Sequence, residues 1–443
     1  MKLIPPEIKI EEFEGFTPEN DVFQRREYAE NLTNLISNVD DELVLALDAP
    51  WGEGKTTFVK MWRGMLKDKD IHSIYFDAFK NDFIEDPFLA LVGEINDLLE
   101  KQPNKNITED IRNDFRNKAV ATLKAIGKAS VRVGIRTATA GVLDETILEG
   151  VGVEGEATDI ADQYFLSRIT DIQQDKATLE QFQITLGKIA KGLGENAKLV
   201  FIIDELDRCK PSFALDLLEK IKHVFSIPNI VFVLVMNREQ MSEVIKTRYG
   251  SGINATKYLQ KFIHIWMGLP KKKEQGNNDG HKYLNHCLNN MDYNNTTNSQ
   301  GLEREIFSEL IDYYEMSFRE IERSLTNFAL VENTTGGLGG DYLVISVYLS
   351  VIKVLYPDTF RNIRLETITY NQVVAETNLA NFTSQHWANI PESHILKWLL
   401  RYYISDKDDV QLMLKQGENY ADRRDHGREA VRYISKILDS FRN

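Results

Sequence analysis

The stretch Ala49-Pro50-Trp51-Gly52-Glu53-Gly54-Lys55-Thr56 lies between a short apolar run, Leu43 to Leu47, and a helical pattern beginning near Lys55 and continuing to Leu66. Strand, glycine-bearing turn and helix in that order are the setting a phosphate-binding loop requires. Gly52 and Gly54 let backbone amides turn inward around phosphates, and the helix N-terminus adds positive potential. Lys55 would place an ammonium on the β and γ oxygens, and Thr56 would offer a hydroxyl to Mg²⁺. Ala49 stands where the pattern has its leading Gly, which costs little provided its φ stays negative.

A second stretch supplies the acids such a loop needs. Leu199 to Ile203 reads as a fully apolar strand ending in Asp204-Glu205-Leu206-Asp207-Arg208, and strand C-termini are where open α/β sheets bind ligands. Asp204 is suited to hold Mg²⁺ through a water, and Glu205 to polarise an attacking water. Asp207 and Arg208 are further candidates. The next apolar run, Ile230 to Met236, ends in Asn237, which can orient water or a phosphate oxygen but is also an ordinary turn former.

Outward from these motifs, the helical spacing of Asp21 to Val39 precedes the first strand, and Ile71 to Phe79 predicts a second. An acidic loop at Glu85 and Asp86 then leads to a helix from Pro87 through Leu99, and another helix is expected from Ser212 to Phe225. Strands apolar along their whole length, alternating with helices, predict an α/β fold: a parallel sheet covered on both faces. The expected divisions are a first half of the core at 1–101, a helical insertion at 102–194, a second half at 195–270, and a helical lid with a C-terminal helical domain at 271–443. Within the last, Gly336 to Gly340 reads as a flexible joint separating two all-helical parts.

The insertion carries an unusual pattern from Lys118 to Leu143. Gly127, Gly134 and Gly141 recur every seven residues, while Lys124, Lys128, Arg132 and Arg136 recur every four. On a helix the two rows fall on roughly opposite sides. Either a neighbouring helix approaches over the glycines and the basic row is solvated, or that row meets anionic lipid, nucleic acid or an acidic partner.

Composition limits the remaining classes. The chain of 443 residues has a net charge of −14, which argues against a surface given over to nucleic acid as a whole. Two cysteines, Cys209 and Cys287, predict no disulfide framework and fit a reducing compartment. Met1 to Glu12 has no apolar h-region, and no window has the run of apolar residues that spans a bilayer. A cytoplasmic protein is expected, with peripheral membrane contact left to the basic row. His281, His286 and Cys287 match no zinc spacing and are expected to be solvated loop residues. Arg423, Arg424, Arg428, Arg432 and Lys436 alternate with acids at helical salt-bridge spacing, which predicts an exposed helix.

Taken together, the motifs resemble those of the KAP family of P-loop NTPases. Asp21 to Arg26 is similar to the family's lead-in, Pro50-Trp51-Gly52-Glu53-Gly54-Lys55-Thr56-Thr57 to its Trp-containing Walker A, and Asp204 to Cys209 to its extended Walker B. Tyr75-Phe76-Asp77-Ala78-Phe79 sits where the family has an aromatic-Asn-Ala-Trp strand; Tyr258 to Phe262 with Leu269-Pro270 resembles the segment closing the core, and Ser317 to Arg323 its helical Arg motif. The sequence departs at Asp77 and Phe79, at Asn237 where Asp is usual, and in lacking the paired transmembrane helices many relatives carry in the insertion. The resemblance implies an additional-strand P-loop sheet, with the strand ending at Asn237 between the Walker A and Walker B strands, and ATP with Mg²⁺ as ligands. It also implies Arg319 as a γ-phosphate sensor, and Arg208 or Arg319 acting within one subunit or across a homo-oligomer. Family context adds a role in bacterial anti-phage defence with an effector protein as partner. The alternative is a nucleotide-dependent switch or scaffold that does not hydrolyse.

Overall fold

A computed structural model describes residues 1–6, 8–101, 106–139, 156–193, 198–274, 277–293, 301–383, 395–404, 415 and 427–441, with side chains for all of these except 127–139, 156–169, 171, 273, 274, 277, 402 and 427–429. The first half contains α1 (Arg26–Ser37), β1 (Leu43–Asp48), α2 (Lys55–Asp68), β2 (His72–Asp77), α3 (Ala78–Asn81) and α4 (Pro87–Lys101). Two long helices follow, α5 (Glu109–Thr139) and α6 (Glu156–Gly192), and then β3 (Leu199–Asp204), α7 (Pro211–Lys220), β4 (Ile230–Met236), α8 (Arg238–Tyr249), α9 (Ala255–Leu259) and β5 (Ile265–Gly268).

The five strands form one sheet in the order β2-β3-β4-β1-β5, parallel at every pairing. β4 therefore separates the strand before the glycine loop from the strand that carries the acids, as the resemblance implied. β3 and β4 are buried along their whole length, because helices cover both faces and leave no side of either strand for water. On one face Phe201 stacks on Phe232 at 4.9 Å, under Phe88, Phe182 and Phe225. On the other, Leu45, Val200 and Val233 pack against Leu32, Phe58 and Trp62 of α1 and α2.

α5 and α6 are 31 and 37 residues long, roughly 45 and 55 Å at the helical rise, and pack against each other. Their inner ends are anchored by Phe115, Phe182 and Leu186 in the core. Lys124 is exposed; the side chains of Lys128, Arg132 and Arg136 lie outside those described, and Gly141 lies outside the described residues. Among the described residues no helix is long and apolar enough to cross a membrane.

Several expectations need correction. The segment Ile265–Gly268 is a fifth, edge strand, too short and too exposed on its outer side to give a β signal. The helix expected from Ser212 to Phe225 changes to a π turn over Ile221–Phe225. The region after Leu269 is not wholly helical: Lys273–Glu274 and Asn277–Asn278 form a small antiparallel pair, β6 and β7. Helices α10 (Asp279–Asn290), α11 (Leu302–Tyr314), α12 (Phe318–Thr335), α13 (Gly340–Leu355), α14 (Pro357–Arg364), α15 (Tyr370–Glu376), α16 (Ile395–Ile404) and α17 (Gly427–Ser440) follow. His281, His286 and Cys287 lie on α10, with Cys287 buried, because Asn278 caps that helix rather than extending a loop. His281 reaches Asp312 at 3.0 Å, and no group of acids, His and Cys suited to a metal occurs among the described residues.

Gly336 to Gly340 does not divide two bodies. The run reverses the chain after α12, with Gly336 at φ 77° in the left-handed region that glycine tolerates, and Phe328 before it and Tyr348 after it share one core. Phe23 belongs to that same core, and Met1, Ile8 and Val22 pack against it.

Candidate functional site

At the C-terminal ends of β3 and β4 a cavity of about 360 Å³ opens beside the glycine loop that follows β1. Gly52 and Gly54 take φ of 84° and 76°, which curls the loop so that its amides face one centre. Ala49 is not among the positive-φ residues, so the departure there is harmless. Lys55 begins α2 and donates from Nζ to the carbonyls of Ala49 at 2.5 Å and Pro50 at 3.0 Å. The ammonium thus arches over the loop it must serve. Burial pushes its pKa below the ordinary lysine value, with Asp207, Asp204 and Asp48 opposing that shift.

Across the cavity, Asp204 is only 1% exposed. Its carboxylate accepts from the Tyr75 hydroxyl at 2.9 Å and from the Glu205 amide at 2.8 Å, and Thr56 lines the same cavity. Parallel register sets Asp77 directly beside Asp204. Glu205 then turns into the left-handed region at φ 59°, a strained conformation for a side chain other than glycine and one common at functional sites. Its carboxylate pairs with Arg208 at 2.9 Å. Arg208 lies 5.5 Å over the Trp51 ring, and Trp51 Nε1 donates to Asp207 at 2.6 Å. The indole in the glycine loop therefore ties that loop to the acid-bearing strand end.

Of the anticipated ligand-binding residues, Trp51, Gly52, Gly54, Lys55, Thr56 and Thr57 line the cavity. Pro50 and Glu53 face a separate groove behind the loop. Asp204, Glu205, Asp207, Arg208 and Arg319 also line the cavity. Asn237 does not: its side-chain oxygen accepts from the amides of Glu239 and Gln240, capping α8, the turn-forming role open to it at a strand end. Tyr75 is a contributor the sequence reading passed over. Its signal lay in the two-residue alternation that puts it on the same strand face as Asp77.

Thr56 and Asp204 are a fitting pair for Mg²⁺. Both offer oxygen and line one cavity, and this ion commonly takes only one or two protein groups beside phosphate oxygens and waters. Burial raises the Asp204 pKa above the ordinary carboxylate value, Asp77 adds to the rise, and the nearby Thr56 and Tyr75 hydroxyls and the Glu205 amide oppose it. The folded chain then keeps this proton to a higher pH than the unfolded chain. Ligand-free stability is therefore full below the unfolded value and declines as pH rises through the folded one. Asp204→Asn removes that decline while the Tyr75 hydroxyl can reverse its role to accept. In EDTA its Tm is expected to exceed the wild type's by roughly 1–3 °C at alkaline pH, with the gap closing in acid.

Residues 25–335 match the model for the KAP family P-loop domain. A solved structure described as the Aeropyrum pernix ORC2 protein in ADPNP–ADP complexes aligns at TM-score 0.37 with 14% identity over 99% of each chain, a likeness too loose to argue from. No curated protein matches the chain.

Proposed function

Because this chain belongs to the KAP family of P-loop proteins, we propose that it is a Mg²⁺-dependent ATPase whose cycle controls assembly with a partner. The observation that carries the reading is the convergence on one cavity of Lys55 and Thr56 from the glycine loop and of the buried Asp204 carboxylate from the end of β3. In this reading the loop amides and Lys55 hold the β and γ phosphates. Thr56 and Asp204 hold Mg²⁺, which when bound neutralises charge on the phosphate oxygens. Glu205 accepts a proton from water as the water oxygen bonds to the γ phosphorus and the bond to the β-phosphate oxygen breaks, with ADP leaving. Arg319 faces the same cavity to offset charge in the transition state. An effector protein, homo-oligomerisation and a role in anti-phage defence are extensions of this reading that rest on family context.

A second reading, a switch that binds ATP and scarcely hydrolyses it, draws support from the Glu205–Arg208 pair, since a carboxylate held by a guanidinium is a poorer base. Calorimetric titration with Mg-ATP tests what both share. Lys55→Ala is expected to weaken binding by about two orders of magnitude, by loss of a phosphate-facing cation, and unchanged affinity would remove the basis of both readings.

A further inference from the structure

Between the cavity and the groove behind the glycine loop, both of which Arg25 lines, contacts run from the lid helices to one peptide of the loop. Arg25, just before α1, is 3% exposed. Its Nη1 donates to the Glu53 carbonyl at 3.2 Å and its Nε to the Pro270 carbonyl at 3.2 Å. The guanidinium lies 4.6 Å from the Phe23 ring centroid, and Phe23 stacks on Phe318 of α12 at 4.4 Å with 5° between planes. Lys271 pairs with Glu53 at 2.9 Å. Both the entry to the lid, Pro270-Lys271, and the start of α12 thus converge on Arg25 and Glu53.

The peptide joining Glu53 and Gly54 is planar and trans, so its carbonyl and its N–H point in opposite directions. With the carbonyl held by Arg25, the Gly54 N–H is aimed the opposite way, and Gly54 lines the cavity. Gly52 and Gly54 flank this stretch with little conformational preference of their own, so the local sequence does not fix the orientation. Arginine suits the task because its rigid fork donates in two directions and stays charged when buried.

We propose that Arg25 is a positioning residue for the phosphate loop, holding the Glu53–Gly54 peptide with its N–H toward the phosphates and making that alignment depend on the lid through Phe23 and Phe318. The inference rests on the reading that this loop takes a phosphate chain. A merely structural Arg25 would tie α1 to the core and leave the loop's ligand affinity untouched.

The test measures the Kd of Mg-ATP and of inorganic tripolyphosphate, with ligand-free Tm, on full-length Arg25→Gln, Arg25→Lys and Phe318→Leu. Arg25→Gln is expected to weaken both probes by the same factor, roughly tenfold or more, the size of a lost charge-assisted hydrogen bond. Arg25→Lys should recover only part of this, and Phe318→Leu, which keeps apolar volume but removes the ring, should weaken both probes in parallel. Folded variants with unchanged Kd for both probes overturn the proposal, as does a loss confined to ATP, which would put Arg25 on the base. Should Arg25→Gln fail to fold, the same two affinities of Arg25→Lys decide. Wild type that binds neither probe overturns the phosphate-site reading itself and this inference with it.

Discussion

Arg319→Ala is expected to lower steady-state phosphate release roughly 10³- to 10⁵-fold, the range for losing an arginine that stabilises phosphoryl-transfer charge, with a much smaller effect on KM. The geometry behind this is the seating of α12 against the glycine loop. A Cβ built on Gly52 would lie 2.8 Å from the Arg319 Cβ and 3.3 Å from its amide nitrogen, so the helix start and the loop are in direct contact. Ser317 and Glu320 form a capping box that fixes where the helix begins. Arg319 is exposed, lines the cavity and has no ion-pair partner among the described residues. Arg208, by contrast, is committed to Glu205 and packed on Trp51. A change of only a few fold in Arg319→Ala would return that residue to an ordinary solvated position on the lid.

Glu205→Gln should leave Mg-ATP affinity within a few fold and cut turnover by about 10²- to 10⁴-fold, the contribution of a positioned general base. The carboxylate sits one residue beyond Asp204, turned by its left-handed backbone toward the cavity. Burial raises its pKa above the ordinary glutamate value, Arg208 opposes the rise, and Asp204, Asp77 and Asp207 add to it. Single-turnover phosphate release separates this from a binding defect. Equal rates for wild type and Glu205→Gln would favour the non-hydrolysing switch.

The core was legible in the sequence where one physical cause dominated. Strands β3 and β4 announce themselves because full burial permits only apolar residues. The glycine loop does so because positive φ at positions 52 and 54 demands glycine. The acids at 204, 205 and 207 could be placed because a strand end is a fixed address in a parallel sheet. What stayed hidden depends on pairs remote in sequence. Arg25 meets the Pro270 carbonyl across 245 positions, and Tyr75 meets Asp204 across 129; neither contact has a local pattern. Asn237 shows the opposite limit, since its residue type fits a water-orienting role and a helix cap equally, and only its bonded amides distinguish them. The glycine run at 336–340 likewise looks like a hinge until Phe328 and Tyr348 are seen in one core.

The placement of Phe23, Met1 and Ile8 against the helical core built by Tyr348, Leu399 and Leu438 sets an order of events during translation. The parallel sheet has all its strands once Gly268 has emerged from the ribosome, yet of the aromatic neighbours that steady Arg25 one, Phe23, precedes the sheet and the other, Phe318, follows it. Phe23 must therefore wait for a helix made after the whole sheet, and the phosphate loop of a nascent chain lacks the support of Phe318 until the start of α12 has been made.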